Sequence, residues 1–134
     1  MWRVNRYWTG GVAGIADTAF FQSAREYADR FGAPQAVKDV VAFRHALAAW
    51  DFPAAAGASD RLLPVVAKEN QWISGDELRD GAVMAKLHLG DAAGARVALD
   101  SLRRFSSRSP DDLRTRMLEA YVTTAEGRQA TAAR

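Results

Sequence analysis

The sequence predicts an all-α protein of about six helices. Apolar residues recur at steps of three and four along most of the chain, the spacing of a helix face. Alanine, the best helix former, is used heavily, and only 4 prolines interrupt the 134 residues. β-Branched residues never alternate with polar ones over a strand-length run. The length suits one sizeable core, and 49% apolar with 25% charged residues is ordinary for a globular protein.

The elements follow in order. Residues 1–10, MWRVNRYWTG, are expected to form an irregular aromatic arm before a single helical domain over 11–134. Trp2, Tyr7 and Trp8 either pack back on the domain, form a contact surface, or mark the cut edge of a larger protein. A first helix is expected from Val12 to Phe31, with Ile15, Ala19, Phe20, Ala24, Tyr27 and Phe31 on one stripe. Gly32 ends it, and Pro34 opens a second helix carrying Val37, Val40, Val41, Phe43, Leu47 and Trp50. Asp51 is read as the cap of a third helix through Ala55, Ala58, Leu62 and Leu63, with Trp50 and Phe52 stapling the turn to a neighbouring hairpin. Pro64 should kink this helix or end it soon after. Trp72 and Ile73 in the following connection look buried. Ser74 and Glu77 have capping-box spacing, so a fourth helix is expected from there to about Leu89, with Glu77 reaching back to the Ser74 amide. Gly90-Asp91 turns the chain into a fifth helix through Val97, Leu99, Leu102 and Phe105. Ser109-Pro110-Asp111-Asp112 reads as the start of a sixth, bearing Leu113, Met117, Leu118, Tyr121 and Val122 and fading past Gly127.

The corner at Asp51 occurs twice. Shifted by forty, residues 42–62 match 82–102 at seven of twenty-one positions: Ala42/Ala82, Leu47/Leu87, Asp51/Asp91, Ala55/Ala95, Ala58/Ala98, Asp60/Asp100 and Leu62/Leu102. Each copy reads helix, turn with aspartate, small residues, helix. A third, weaker register sets Leu78 with Leu113, Val83 with Leu118 and Leu87 with Val122. The stretch from Met84 to Leu102, MAKLHLGDAAGARVALDSL, resembles the middle of a tetratricopeptide repeat in its Gly90-Asp91 turn, its small Ala95 and its spacing to Leu99 and Leu102. Trp50 stands where that family often has glycine. The resemblance covers about residues 34–126 and implies helix hairpins stacked as a short α-solenoid.

Chemistry-bearing motifs are scarce. With no cysteine, the chain has no disulfide, thiolate metal site or cysteine nucleophile. His45 and His88 lack metal-ligand spacing, and the acid pairs Asp76/Glu77 and Asp111/Asp112 are explained as helix starts. No enzyme activity, cofactor or metal is therefore expected. The formal charge of +2 does not demand nucleic acid. Arg103, Arg104, Arg108, Arg114 and Arg116 around Phe105 keep RNA binding as the weakest alternative. No membrane span is expected, and a cytoplasmic location fits the absence of cysteine.

The main expectation is a scaffold or adaptor that binds a peptide or partner helix on a concave face. On the tetratricopeptide-like register that face carries Arg44, Asp80, Met84, His88, Thr115 and Glu119, with Thr123 beside them. The alternative is a structural or regulatory assembly domain of a larger protein or homo-oligomer.

Overall fold

The computed structural model describes residues 18–69, 73–109 and 111–134. Its six helices are α1 (Thr18–Arg30), α2 (Gln35–Ala48), α3 (Phe52–Glu69), α4 (Gly75–His88), α5 (Ala92–Phe105) and α6 (Leu113–Ala132). Among the described residues there is no strand, and no helix is long and apolar enough to cross a membrane. Trp2, Tyr7, Trp8, Ile15, Trp72 and Pro110 lie outside the described residues.

Three helices end in the same way. At Gly32, Trp50 and Gly90 the backbone turns left-handed, with φ of 63°, 59° and 74°. Each turn is closed by two backbone bonds: Ala33 N–H donates to Ala28 O and Gly32 N–H to Asp29 O, Asp51 to Ala46 and Trp50 to Leu47, Asp91 to Lys86 and Gly90 to Leu87. This pairing satisfies the last carbonyls of a helix and favours glycine at the left-handed position. Trp50 is the one non-glycine residue at positive φ among the described residues.

The forty-residue match is structural as well as sequential. Asp51 Oδ1 accepts from Ala54 N–H at 3.1 Å, and Asp91 Oδ1 from Gly94 N–H at 2.8 Å. Ala55 and Ala95, Ala58 and Ala98, Leu62 and Leu102 are buried in matching places, while Asp60 and Asp100 are both exposed. The weaker third register holds only in part: Val83 and Leu118 are buried, but Leu78 is buried and Leu113 is exposed.

Each helix packs on the next in sequence, and α4 also meets α6. Val40, Phe43 and Ala46 of α2, Ala55, Ala58 and Leu62 of α3, and Ile73, Leu78 and Ala85 make one core. Ala82 and Val83 of α4, Ala95, Ala98, Leu99 and Leu102 of α5, and Leu118 and Val122 of α6 make the other. Helix α4 thus serves both cores, and Leu78 through Val83 is buried without a break.

Several expectations are corrected. Pro64 lies inside α3, which runs on for five residues to Glu69. Leu63 and Val66 pack against the first core, so burial offsets the roughly 3 kcal/mol of an interior proline. In α1 the core face holds Phe21 and Ala28, and Tyr27 and Phe31 lie against each other, rings tilted by 37°, in the open. Ser74 caps α4 by accepting from Glu77 N–H at 3.0 Å. The Glu77 carboxylate, however, takes Arg44 Nε at 2.8 Å and Nη2 at 3.0 Å instead of the Ser74 amide, a stronger charge-assisted pair. The cap of α6 is Asp112, accepting from Thr115 N–H, and α6 continues past Gly127 to Ala132.

Candidate functional site

Helices α4 and α6 lie side by side and run the same way. Their beginnings are joined where Arg114 Nε meets Asp80 Oδ2 at 2.9 Å, and their ends where Gln129 donates to the Gly90 carbonyl. Parallel direction follows from α5, which returns the chain between them. The space between α4 and α6 is a groove of about 440 Å³ lined by Met84, Leu87, His88, Tyr121, Thr124, Ala125 and Arg128. Its walls are mostly apolar and its rim bears the Arg128 guanidinium, the composition of a recognition site.

The groove opens onto two exposed apolar surfaces. One is on α6, where Leu113, Met117 and Tyr121 are 71%, 47% and 50% exposed. They are spaced four apart and so share one face. The other is the corner. His88 stacks on Phe52 with ring centres 4.1 Å apart and planes within 4°. Trp50 leans across both rings at 6.1 and 6.3 Å, tilted by 60° and 55°, and stays 61% exposed. Phe52 therefore staples the turn to α4 as expected, while much of the Trp50 ring remains open to solvent.

The six residues expected on a concave face are distributed unevenly. Met84 and His88 line the groove. Arg44 is held by Glu77. Asp80 is buried, with Arg108 Nη2 at 2.8 Å and Arg114 beside it. Burial pushes its carboxyl above the ordinary range, against the pull of the Arg108 hydrogen bond and of both positive charges. Thr115 is buried in the first turn of α6 and donates weakly to Asp112. Glu119 turns toward α5, where Arg96 Nη1 lies 2.8 Å away, and that hydrogen bond lowers its pKa. Thr123 and Glu126 bind the same guanidinium, Glu126 at 2.6 Å. Leu87, Tyr121, Thr124, Ala125 and Arg128 complete the groove without having been singled out. The signal that finds Tyr121, Thr124, Ala125 and Arg128 is the second stripe of α6, which adjoins the buried one.

The arginine cluster is largely engaged within the protein. Arg103 meets Glu119 at 3.2 Å, Arg108 bridges Asp76, Asp80 and Asp112, Arg114 holds Asp80, and Arg104 lies over the Phe105 ring. Arg116 alone of the five has neither an ion pair nor a ring contact among the described residues. A polar cleft of about 310 Å³ between α1, α2 and α3 is similarly occupied by its own charges, with Lys38 on Asp29 at 3.0 Å and Arg61 on Asp39 at 3.1 Å. Among the described residues no three His, Asp or Glu converge as a metal site.

No protein-family model matches the chain, and neither a curated protein nor a solved structure is detectably similar to it. Among the described residues the protein is all-helical, with two similarly capped helix corners forty residues apart and an apolar groove between its fourth and sixth helices.

Proposed function

We propose that this chain is a non-catalytic protein–protein interaction module, a scaffold or adaptor of tetratricopeptide-like construction, which takes a peptide or partner helix along α4 and α6. The observation that carries the reading is the apolar groove and its continuation into the exposed Leu113-Met117-Tyr121 face. Neighbouring exposed apolar side chains rimmed by polar groups are a feature of interaction sites. The repeat-built character is supported by the equivalent caps and buried positions of the two copies.

A second reading, an assembly domain of a larger protein or homo-oligomer, draws on the same α6 face. RNA binding has the least support, since four of the five clustered arginines are already engaged. Selection of a random displayed-peptide library on the immobilised protein tests the main reading. Peptides whose binding is lost on Tyr121→Ala and on Met84→Glu support it. Absence of any selected peptide, together with a concentration-dependent dimer in light scattering, refutes it in favour of assembly.

A further inference from the structure

We infer that the groove and the adjoining α6 face receive an acidic amphipathic helix of a different protein, rather than a second copy of this chain. The inference rests on the interaction-module reading and names its partner chemistry. Helix α6 is covered on one side by α5 through Leu118 and Val122 and touches α4 along the groove. The face left open holds Leu113, Met117 and Tyr121 at four-residue spacing, the pattern that a packed neighbouring helix covers.

Along the helix itself, the charges beside this face that form no ion pair are of one sign. Arg116 follows Leu113 by three residues and precedes Ala120 by four, so it flanks the stripe. Arg128 follows Tyr121 by seven and Thr124 by four, at the rim of the groove. Both arginines are exposed and form no ion pair among the described residues. The two glutamates of α6 cannot neutralise them, because Arg96 of α5 holds Glu119 and Glu126 on another side of the helix. Asp111, an exposed acid nearby, precedes the first turn. Two copies packed stripe to stripe would set these arginines against each other. A helix with carboxylates beside its apolar stripe would meet both.

The test uses two synthetic helical peptides with the same leucine stripe, one flanked by glutamates and one by lysines, titrated by fluorescence anisotropy against the whole chain. Each exposed pair is weak, but attraction in one peptide and repulsion in the other sum to a preference of about tenfold for the glutamate peptide. The preference should shrink as salt rises, reverse in the Arg116→Glu/Arg128→Glu variant, and vanish with all binding in Tyr121→Ala. Equal binding of both peptides, lost in Tyr121→Ala, overturns the charge inference and leaves the interaction-module reading standing. Binding of neither peptide, or binding that survives Tyr121→Ala, overturns both. A dimer in sedimentation that Met117→Glu dissociates makes a second copy the occupant and overturns the inference.

Discussion

Trp50 allows backbone strain to be separated from side-chain packing at one position. Its φ of 59° places a Cβ where the equivalent residue of the next repeat is Gly90. The left-handed conformation costs a non-glycine residue about 1–2 kcal/mol. A fully buried tryptophan removes about 250 Å² from water. With Trp50 61% exposed, the ring contributes no more than about 2.5 kcal/mol by burial against Phe52 and His88. Trp50→Ala loses the packing and keeps the strain. Trp50→Gly loses the packing, relieves the strain, and loosens the unfolded chain by about 0.4–1 kcal/mol. The glycine variant should therefore be about 0.5–1 kcal/mol more stable than the alanine variant and up to about 1.5–2 kcal/mol less stable than the parent. Urea unfolding at constant m-value measures both differences. An alanine variant as stable as the glycine variant, or more so, would refute the strained turn. So would Gly90→Ala without loss of stability.

Leu62→Ala and Leu102→Ala occupy equivalent, fully buried sites in separate cores, and each should cost about 2–5 kcal/mol in urea titration. His45, stacked on Phe21, has its pKa lowered from 6.5 by burial and then by Arg25, with Asp51 opposing. The unfolded chain then binds a proton more readily than the fold, so stability falls as pH drops through about 6.5 toward the lower folded value. His45→Gln should flatten that decline in thermal melts taken between neutral and mildly acidic pH, and Arg25→Gln should lessen it.

The features legible in the sequence are those set by local rules. Asp51 and Asp91 cap because a short acceptor precedes a helical run, and Ala55/Ala95 and Leu62/Leu102 share burial because the repeat carries its packing with it. What was not legible depends on partners far along the chain. Glu77 leaves its local amide for Arg44, thirty-three residues away, and Arg96 draws Glu119 and Glu126 from twenty-three and thirty residues on. Proline rules alone could not show that Leu63 and Val66 hold α3 together beyond Pro64. In α1 and α6 the apolar residues fill two adjoining stripes, so periodicity does not say which one faces the core. That ambiguity hid Tyr121 and Arg128 from the candidate site, whereas Met84 and His88 could be placed from the register of α4.

The choice of face in α6 poses an energetic question. Thr115, Leu118 and Val122 point inward while Leu113, Met117 and Tyr121 stay exposed. The outer set is the larger in apolar area, and each such side chain is worth about 1.5–3 kcal/mol when fully buried. Apolar burial alone therefore does not favour the observed rotation. Two ion-pair clusters oppose the alternative: Asp80 of α4 holds Arg114 at the start of α6, and Arg96 of α5 holds Glu119 and Glu126 farther along. Polar networks of this kind can select one arrangement among several of similar apolar content. Met117→Cys would place the only thiol of this cysteine-free chain on the outer stripe, and Val122→Cys would place one on the inner stripe. In an otherwise unchanged chain the first should react rapidly with a thiol reagent and the second slowly. Adding Arg96→Met should narrow the contrast at least several-fold at unchanged helicity if the clusters set the rotation. An undiminished contrast would show that the Arg96 cluster does not set the rotation, leaving the inner residues and the Asp80–Arg114 pair to hold α6 in place.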